Sequence, residues 1–292
     1  MSDLAPLTHD VPVAISPLVR RIVAANPSHM TGPGTNTYLV GTDEVAVIDP
    51  GPDDAAHTAA IVAAGAGRIR WILCTHTHPD HSPGTAALVE ATGASVMAWS
   101  NRGGLRPDRR LRDGDELVTD HWTIRAVHTP GHAGNHLCFL LVDEGLMFSG
   151  DHIMQGSTVV ISPPDGDMGA YLESLVKVRD LGPVAIAPGH GHVIEDPRSL
   201  IDWYVAHRLE REAQLHSLLI GMGSARIAEL VEAAYVDLDP VLVPMAKRSV
   251  HAHLRKLASE GQVDGDGARG EWRALSPADD RGTGRTATTR GT

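Results

Sequence analysis

Between residues 44 and 191 the chain alternates short apolar runs with polar punctuation. The runs are EVAVIDPG, IRWILCTH, ASVMAWS, WTIRAVHTPGH, HLCFLLV, GLMFSGD and PVAIAPGHG. Apolar stretches this short, bounded by turn-forming residues, read as strands. Helical segments interleave with them over about 53–65, 83–92 and 168–180, the first after DPGPDD, whose aspartates suit a helix cap. Mixed strands and helices in this order predict a layered α/β domain over residues 13–198.

After EDPRSL the pattern changes. LIDWYVAHRLEREAQLHSLLI, ARIAELVEAAY and VPMAKRSVHAHLRKLASEG carry helical spacing, and QVDGDGARGEWRAL closes with two brief strand-like pieces around a Gly-rich turn. Helix, helix and hairpin is the order of a small winged-helix-like domain, expected over 199–276. The remainder, 277–292, has no periodic apolar residues and is expected to be a disordered tail.

The 292 residues allow a full-sized core and, as a soft guide, two domains. Hydrophobic residues make up 42% and no apolar stretch is long enough to cross a bilayer, so no membrane partner is expected. The first twenty residues lack the basic start and apolar centre of a secretion signal, which gives a cytoplasmic expectation. The two cysteines, Cys74 and Cys138, both fall in apolar runs and read as small buried hydrophobes, not a disulfide framework. A formal charge of -11 argues against a broad phosphate-binding surface, while 17 histidines point toward metal chemistry or pH response.

Three histidines and an aspartate are concentrated in CTHTHPDHSPG, directly after IRWIL. In extended chain, His76 and His78 share a face and can close on one ion. Asp80 and His81 follow Pro79, where the chain turns, and can address a second position nearby. Further ligand types stand where other strands end: His132 in TPGHAGNH, Asp151 in FSGDH and His190 in APGHGH, each directly after a glycine that permits a tight turn. Imidazole and carboxylate without thiolate favour zinc, with iron or manganese as alternatives.

THTHPDH, TPGHAGNH, FSGDH and PGHGH, in that order, resemble the successive metal motifs of the metallo-beta-lactamase superfamily. The resemblance implies a four-layer αββα sandwich with metals at one edge of its sheets. It implies one metal held by His76, His78 and His132, another by Asp80, His81 and His190, and Asp151 bridging them. It also implies that Asp49, in AVIDPG, supports the first ligand loop, a task that orients ligand imidazoles. Two close cations require bridging anions, so the expected chemistry is a binuclear zinc hydrolase whose nucleophile is a bridging hydroxide, with Asp80 passing a proton to the leaving group.

The position of Asp151 departs from the Cys or Ser usual in antibiotic-hydrolysing members, which disfavours lactam hydrolysis. The complete seven-residue set is similar to that of glyoxalase II and implies thioester or ester hydrolysis. MTGPGTNTYLVG, GDHIMQGSTVV, VHAHLRKLASEGQVDGD and EWRAL extend the resemblance to the beta-lactamase-like protein 2 branch, over about residues 13–275. That branch includes single-strand endoribonucleases and polyketide thioesterases. The leading expectation is therefore a small-molecule acyl thioester or ester substrate. The alternatives are a single-strand endoribonuclease, with RNA as partner disfavoured by charge, and a winged-helix nucleic-acid binder with a scaffold metal domain. The C-terminal domain has two other roles open, roofing the site or forming a homodimer.

His136 and His152 adjoin the motifs and are left between substrate contact and local hydrogen bonding. Arg248, His251 and Arg255 share a face of the last long helix and are left between nucleic-acid contact and simple solvation. The other histidines, His9, His29, His57, His121, His128, His207 and His216, are not assigned.

Overall fold

The computed structural model describes residues 6–156, 158–265 and 267–275. Two compact units divide inside one long helix, between residues 206 and 207. The expected tail, 277–292, lies outside the described residues.

In the first unit one sheet contains β1 (Val13–Ala14), β2 (Val19–Val23), β3 (Asn36–Val40), β4 (Val45–Ile48), β5 (Ile69–Leu73), β6 (Ser95–Ala98) and β7 (Arg109–Arg110), in spatial order equal to chain order. The helices α1 (Ala55–Gly65) and α2 (Thr85–Thr92) supply the crossovers that parallel pairing of β4, β5 and β6 demands. Asp54 caps α1, accepting from Ala56 N and His57 N. The second sheet contains β8 (Glu116–Val118), β9 (Thr123–His128), β10 (Leu137–Leu141), β11 (Leu146–Gly150) and β12 (Ala185–Pro188), in the order β12-β11-β10-β9-β8. Between β11 and β12 runs α3 (Met168–Leu181), capped by Asp167.

The alternation of strand side chains builds the layers. On β4, Ala46 and Ile48 join Tyr38, Leu73, Ile124, Phe139 and Phe148 in a core between the sheets. Val45 and Val47 point the other way, joining Leu39, Ile61, Ile72 and Leu88 under α1 and α2. On the second sheet's side, α3 is tied down by Ser174 Oγ donating to Pro130 O and Lys177 Nζ donating to His128 O. The result is the expected αββα arrangement. Cys74 and Cys138 are free and buried, and burial pushes each thiol up to about 12, so neither is a nucleophile.

The apolar runs do not mark β2 and β3. Arg20 and Arg21 interrupt the first, and Asn36 and Thr37 open the second with polar residues that are nonetheless fully buried. Their side chains are committed to loops elsewhere: Asn36 Nδ2 donates to Pro188 O and Gly191 O, and Thr37 Oγ1 to Asp49 O. A polarity pattern cannot show that those groups are satisfied internally.

The long helix α4 (Pro197–Met222) leads into β13 (Ser224–Arg226), α5 (Ile227–Ala234), α6 (Val243–Ser259), β14 (Val263–Gly265) and β15 (Glu271–Ala274). The second unit packs Leu215, Leu219, Leu230, Val231, Val250, Leu254 and Trp272 into its own core. Beyond the expected hairpin, β13 completes a three-stranded sheet in the order β13-β15-β14, which is the winged-helix arrangement. No helix among the described residues is long and apolar enough to cross a membrane.

Candidate metal centre

The ligand-type residues stand at strand ends. His76, His78, Asp80 and His81 follow β5, His132 follows β9, Asp151 directly follows β11 and His190 follows β12. These four loops meet because β5 lies in one sheet, the other three strands in the second, and all end at the same rim. His76, His78, His132 and Asp151 form one group, and Asp80, His81, Asp151 and His190 another, each with ligand atoms within 4.8 Å of one another.

In the first group three imidazole nitrogens converge. His76 Nε2 is 2.9 Å and His132 Nε2 3.0 Å from His78 Nδ1. Burial, reinforced by neighbouring histidines, holds His76 well below its ordinary value and takes His78 down to about 4. Both are neutral at pH 7, so their lone pairs face a shared point, as a metal requires. Asp151 divides its oxygens. Oδ2 lies 3.6 Å from His132 Nε2 and 4.0 Å from His76 Nε2, while Oδ1 is 3.2 Å from both His81 Nε2 and His190 Nε2. Asp80 Oδ2 closes the second group at 3.3 Å from His190 Nε2 and 3.5 Å from His81 Nε2.

Burial works against charge in this second group, but Asp151, Asp80 and Asp49 raise His81 well above its ordinary value. Asp151, together with Asp80, raises His190 to about 9. Burial would raise Asp151, but His81 and His190 hold it well below the carboxylate range. Even so, His81 Nε2, His190 Nε2 and Asp151 Oδ1 are buried without an aligned hydrogen bond. Buried polar atoms are ordinarily satisfied, and a cation bound among these three would satisfy them all. No Lys or Arg among the described residues pairs with Asp80 or Asp151. The donor set, nitrogen and carboxylate oxygen without thiolate, fits zinc, iron or manganese alike.

The opposite ring atoms fix the orientation. His76 Nδ1 lies 3.0 Å from Thr75 Oγ1, His132 Nδ1 is 2.9 Å from Val160 O, and His190 Nδ1 is 3.2 Å from Gly34 O. His81 Nδ1 is 2.9 Å from Asp49 Oδ2. Asp49 also accepts from Thr75 N and Thr75 Oγ1, both at 2.7 Å, so one carboxylate holds two points of the loop that carries His76 and His81. Its backbone sits at φ 50, in the left-handed region that Asp tolerates better than most residues. Gly189 is required by space: a Cβ there would stand 2.8 Å from Asp151 Oδ1 and His81 Cε1.

All seven expected ligand residues and Asp49 are therefore brought together. Residues the sequence reading missed are Thr75 and the carbonyls of Val160 and Gly34. The first sits beside a recognised motif, but carbonyl acceptors carry no side-chain signature. His136 and His152 are both fully buried, which removes substrate contact and leaves a supporting role. His136 Nδ1 is 2.9 Å from Thr129 Oγ1 and its ring lies 5.0 Å from that of His76, while burial takes His152 down to about 3 beside Tyr171.

Residues 30–190 match the metallo-beta-lactamase superfamily, and residues 227–272 match the beta-lactamase associated winged helix domain. The chain is 34% identical to a beta-lactamase-like protein 2 homolog of Drosophila melanogaster, over 84% of this chain and 89% of that protein. It is 38% identical to an atrochrysone carboxyl ACP thioesterase of Aspergillus chevalieri, over 76% of this chain and 74% of the other. A beta-lactamase domain protein from Burkholderia ambifaria shares the fold with a TM-score of 0.80 and 20% identity, over 94% of this chain and 96% of that one.

Proposed function

The chain belongs to the metallo-beta-lactamase superfamily of hydrolases, and we propose that within it the protein is a cytoplasmic binuclear zinc thioesterase or esterase acting on a small acyl substrate. The division of Asp151 Oδ1 and Oδ2 between two groups of histidines carries the binuclear part of this reading, because a carboxylate so placed can bridge two cations. The thioesterase relative at 38% identity supports the substrate class.

His76, His78 and His132 would hold one ion, and Asp80, His81 and His190 the other. Zinc bound there supplies Lewis acidity and water acidic enough to be nucleophilic at neutral pH. The chain's own part is to present neutral His76 and His78, to fix His81 through Asp49, and to exclude water behind the site with the buried His136 and His152. Asp80 is the more accessible carboxylate of the centre, its side chain 24% exposed against 11% for Asp151. Its charge is favoured by His81 and His190 over the opposing effect of burial, so it is positioned to take up a proton and deliver it to the leaving thiol or alcohol.

The test is a parallel assay of zinc-loaded protein against acyl thioesters, a lactam reporter and single-stranded RNA, repeated with Asp151→Ala. Thioester turnover that disappears in the variant, without RNA cleavage, is the expected result. RNA cleavage alone would replace the substrate class, and activity that survives Asp151→Ala would remove the site from the reaction.

One observation favours a nucleic-acid role as a second reading. Lys247, Arg248 and Arg255 are exposed on α6 beside the half-buried His251, and none of the three cations pairs with a carboxylate among the described residues. RNA binding measured at two salt concentrations checks it. Genuine phosphate contact would give a slope of about −0.7 in log K against log salt for each phosphate neutralised, and a flat response leaves this face solvated.

A further inference from the structure

Arg21, on β2, is 8% exposed, and its side chain makes one hydrogen bond among the described residues, Nη1 donating to Gly191 O at a long 3.4 Å. Its Nε is buried without a partner, and no carboxylate among the described residues lies within ion-pairing distance of its guanidinium. Arg20, its neighbour on the same strand, instead bonds Ala64 O at 2.7 Å and Gly41 O at 2.9 Å. A buried cation is ordinarily retained only with a compensating anion. The chain has an excess of acids, 36 Asp and Glu against 25 Lys and Arg, yet none of the described ones meets this guanidinium.

Arg21 faces a cavity of about 230 Å³ whose other walls are Pro6, Leu7, Val11, Val13 and Val23, with Thr8 and His192 as the remaining polar side chains. That space corresponds to about eight waters at ~30 Å³ each. It is too polar at one end to stay empty like a hydrocarbon void, and beyond the guanidinium it offers a phosphate's further oxygens only the Thr8 hydroxyl and the His192 imidazole, the rest of its wall being valine, leucine and proline. We propose that this cavity is a binding site for a small monocarboxylate with an apolar body, its carboxylate paired with Arg21 and its hydrocarbon against Leu7, Val11 and Val13. A carboxylate matches the planar donor fork of guanidinium, and the weak bond to Gly191 O leaves most of that fork available. The cavity borders the loop that carries His190, through Gly191 and His192, but none of the seven metal-ligand residues lines it, and the proposal does not depend on which bond the metal centre cleaves.

The experiment is a fluorine NMR titration of 4-fluorobenzoate into the full-length, zinc-loaded protein. Saturable binding is expected in the wild type and in Asp151→Ala. Arg21→Met is expected to weaken it at least tenfold. Val13→Trp, at a position 44% exposed on the cavity rim, fills the cavity without removing the cation and should also abolish binding, which covers the case in which Arg21→Met does not fold. Uncharged 4-fluorobenzyl alcohol should not bind, and inorganic phosphate should compete at least tenfold more weakly. Absence of saturable binding, unchanged affinity in Arg21→Met or in Val13→Trp, loss confined to Asp151→Ala, or phosphate competing equally would each overturn the proposal.

Discussion

In the first unit, Asp80 and Asp151 are faced by five histidines and by no Lys or Arg among the described residues. In the second unit, Glu212 on α4 is as buried as Asp151, 7% exposed against 8%, but it meets Lys256 Nζ of α6 at 2.7 Å and faces His253 Nδ1 at 3.6 Å. Both units place carboxylates indoors, and they differ in where the compensating charge comes from. The winged-helix unit carries its cation in its own sequence, so folding alone closes the ion pair. The sandwich carries neutral donors and leaves the positive charge to be supplied by protons or by metal. A buried carboxylate surrounded by imidazoles therefore signals an open requirement, and one beside lysine signals a closed one.

The largest expected effect breaks the open cluster. Asp151→Asn keeps the shape but removes the charge that faces both groups, and it should cost on the order of 10³-fold in kcat/KM, consistent with several kcal/mol of charge stabilisation. Metal content by mass spectrometry should fall with it. Glu212→Ala is the matching change in the closed cluster. It leaves the Lys256 ammonium, 13% exposed at its side chain, with only Glu260 at 2.7 Å as a carboxylate partner, and should destabilise the second unit by about 1–2 kcal/mol, read from denaturant unfolding, while the metal content stays that of the wild type. A loss of metal in Glu212→Ala would show that the two clusters are not independent.

Asp49→Ala probes orientation instead of charge. It frees Thr75 and His81 together, and a 10–100-fold loss of metal affinity is expected, measured by competition with a chelator. Thr75→Val, which keeps the Thr75 N to Asp49 Oδ1 bond, should lose less.

How much of this could be read from the chain depended on whether a residue acts through its own side chain and a local motif. His76, His78, Asp80, His81, His132, Asp151 and His190 stand in loops that follow strand ends and contain Pro or Gly, so both their chemistry and their convergence were legible, as was Asp49 through its resemblance to the family. The supports were not. Gly34 O and Val160 O act through backbone atoms, and Asn36 looks like a loop residue until Pro188 O and Gly191 O are seen to accept from it. The same cause hid β2 and β3, whose polar residues are satisfied across the fold. In the second unit β13 was missed because Ser224–Arg226 is only three residues long and gains strand character through pairing with β15, distant in sequence.

The smallest expected effect is a pH dependence that distinguishes the clusters. Burial holds His253 below its ordinary value despite Glu212, so in acid the unfolded chain takes up that proton first. Its contribution is present above about pH 6.5 and fades as pH falls below it. For Glu212, burial acts to raise the value, but bonds from His253 and Lys256 win and lower it. Its contribution is likewise present above the ordinary Glu value of about 4.3 and is lost as pH falls toward the depressed one. Both signs agree, so the second unit should lose stability progressively from about pH 6.5 downward, in steps that Glu212→Gln and His253→Asn remove separately. The metal centre responds on the alkaline side as well: His190, raised to about 9, must give up a proton before it can bind a cation, so zinc uptake at pH 7 should release protons. Calorimetry in two buffers of different ionisation enthalpy measures that release, and a zinc-binding heat independent of buffer would remove the charge argument for His190.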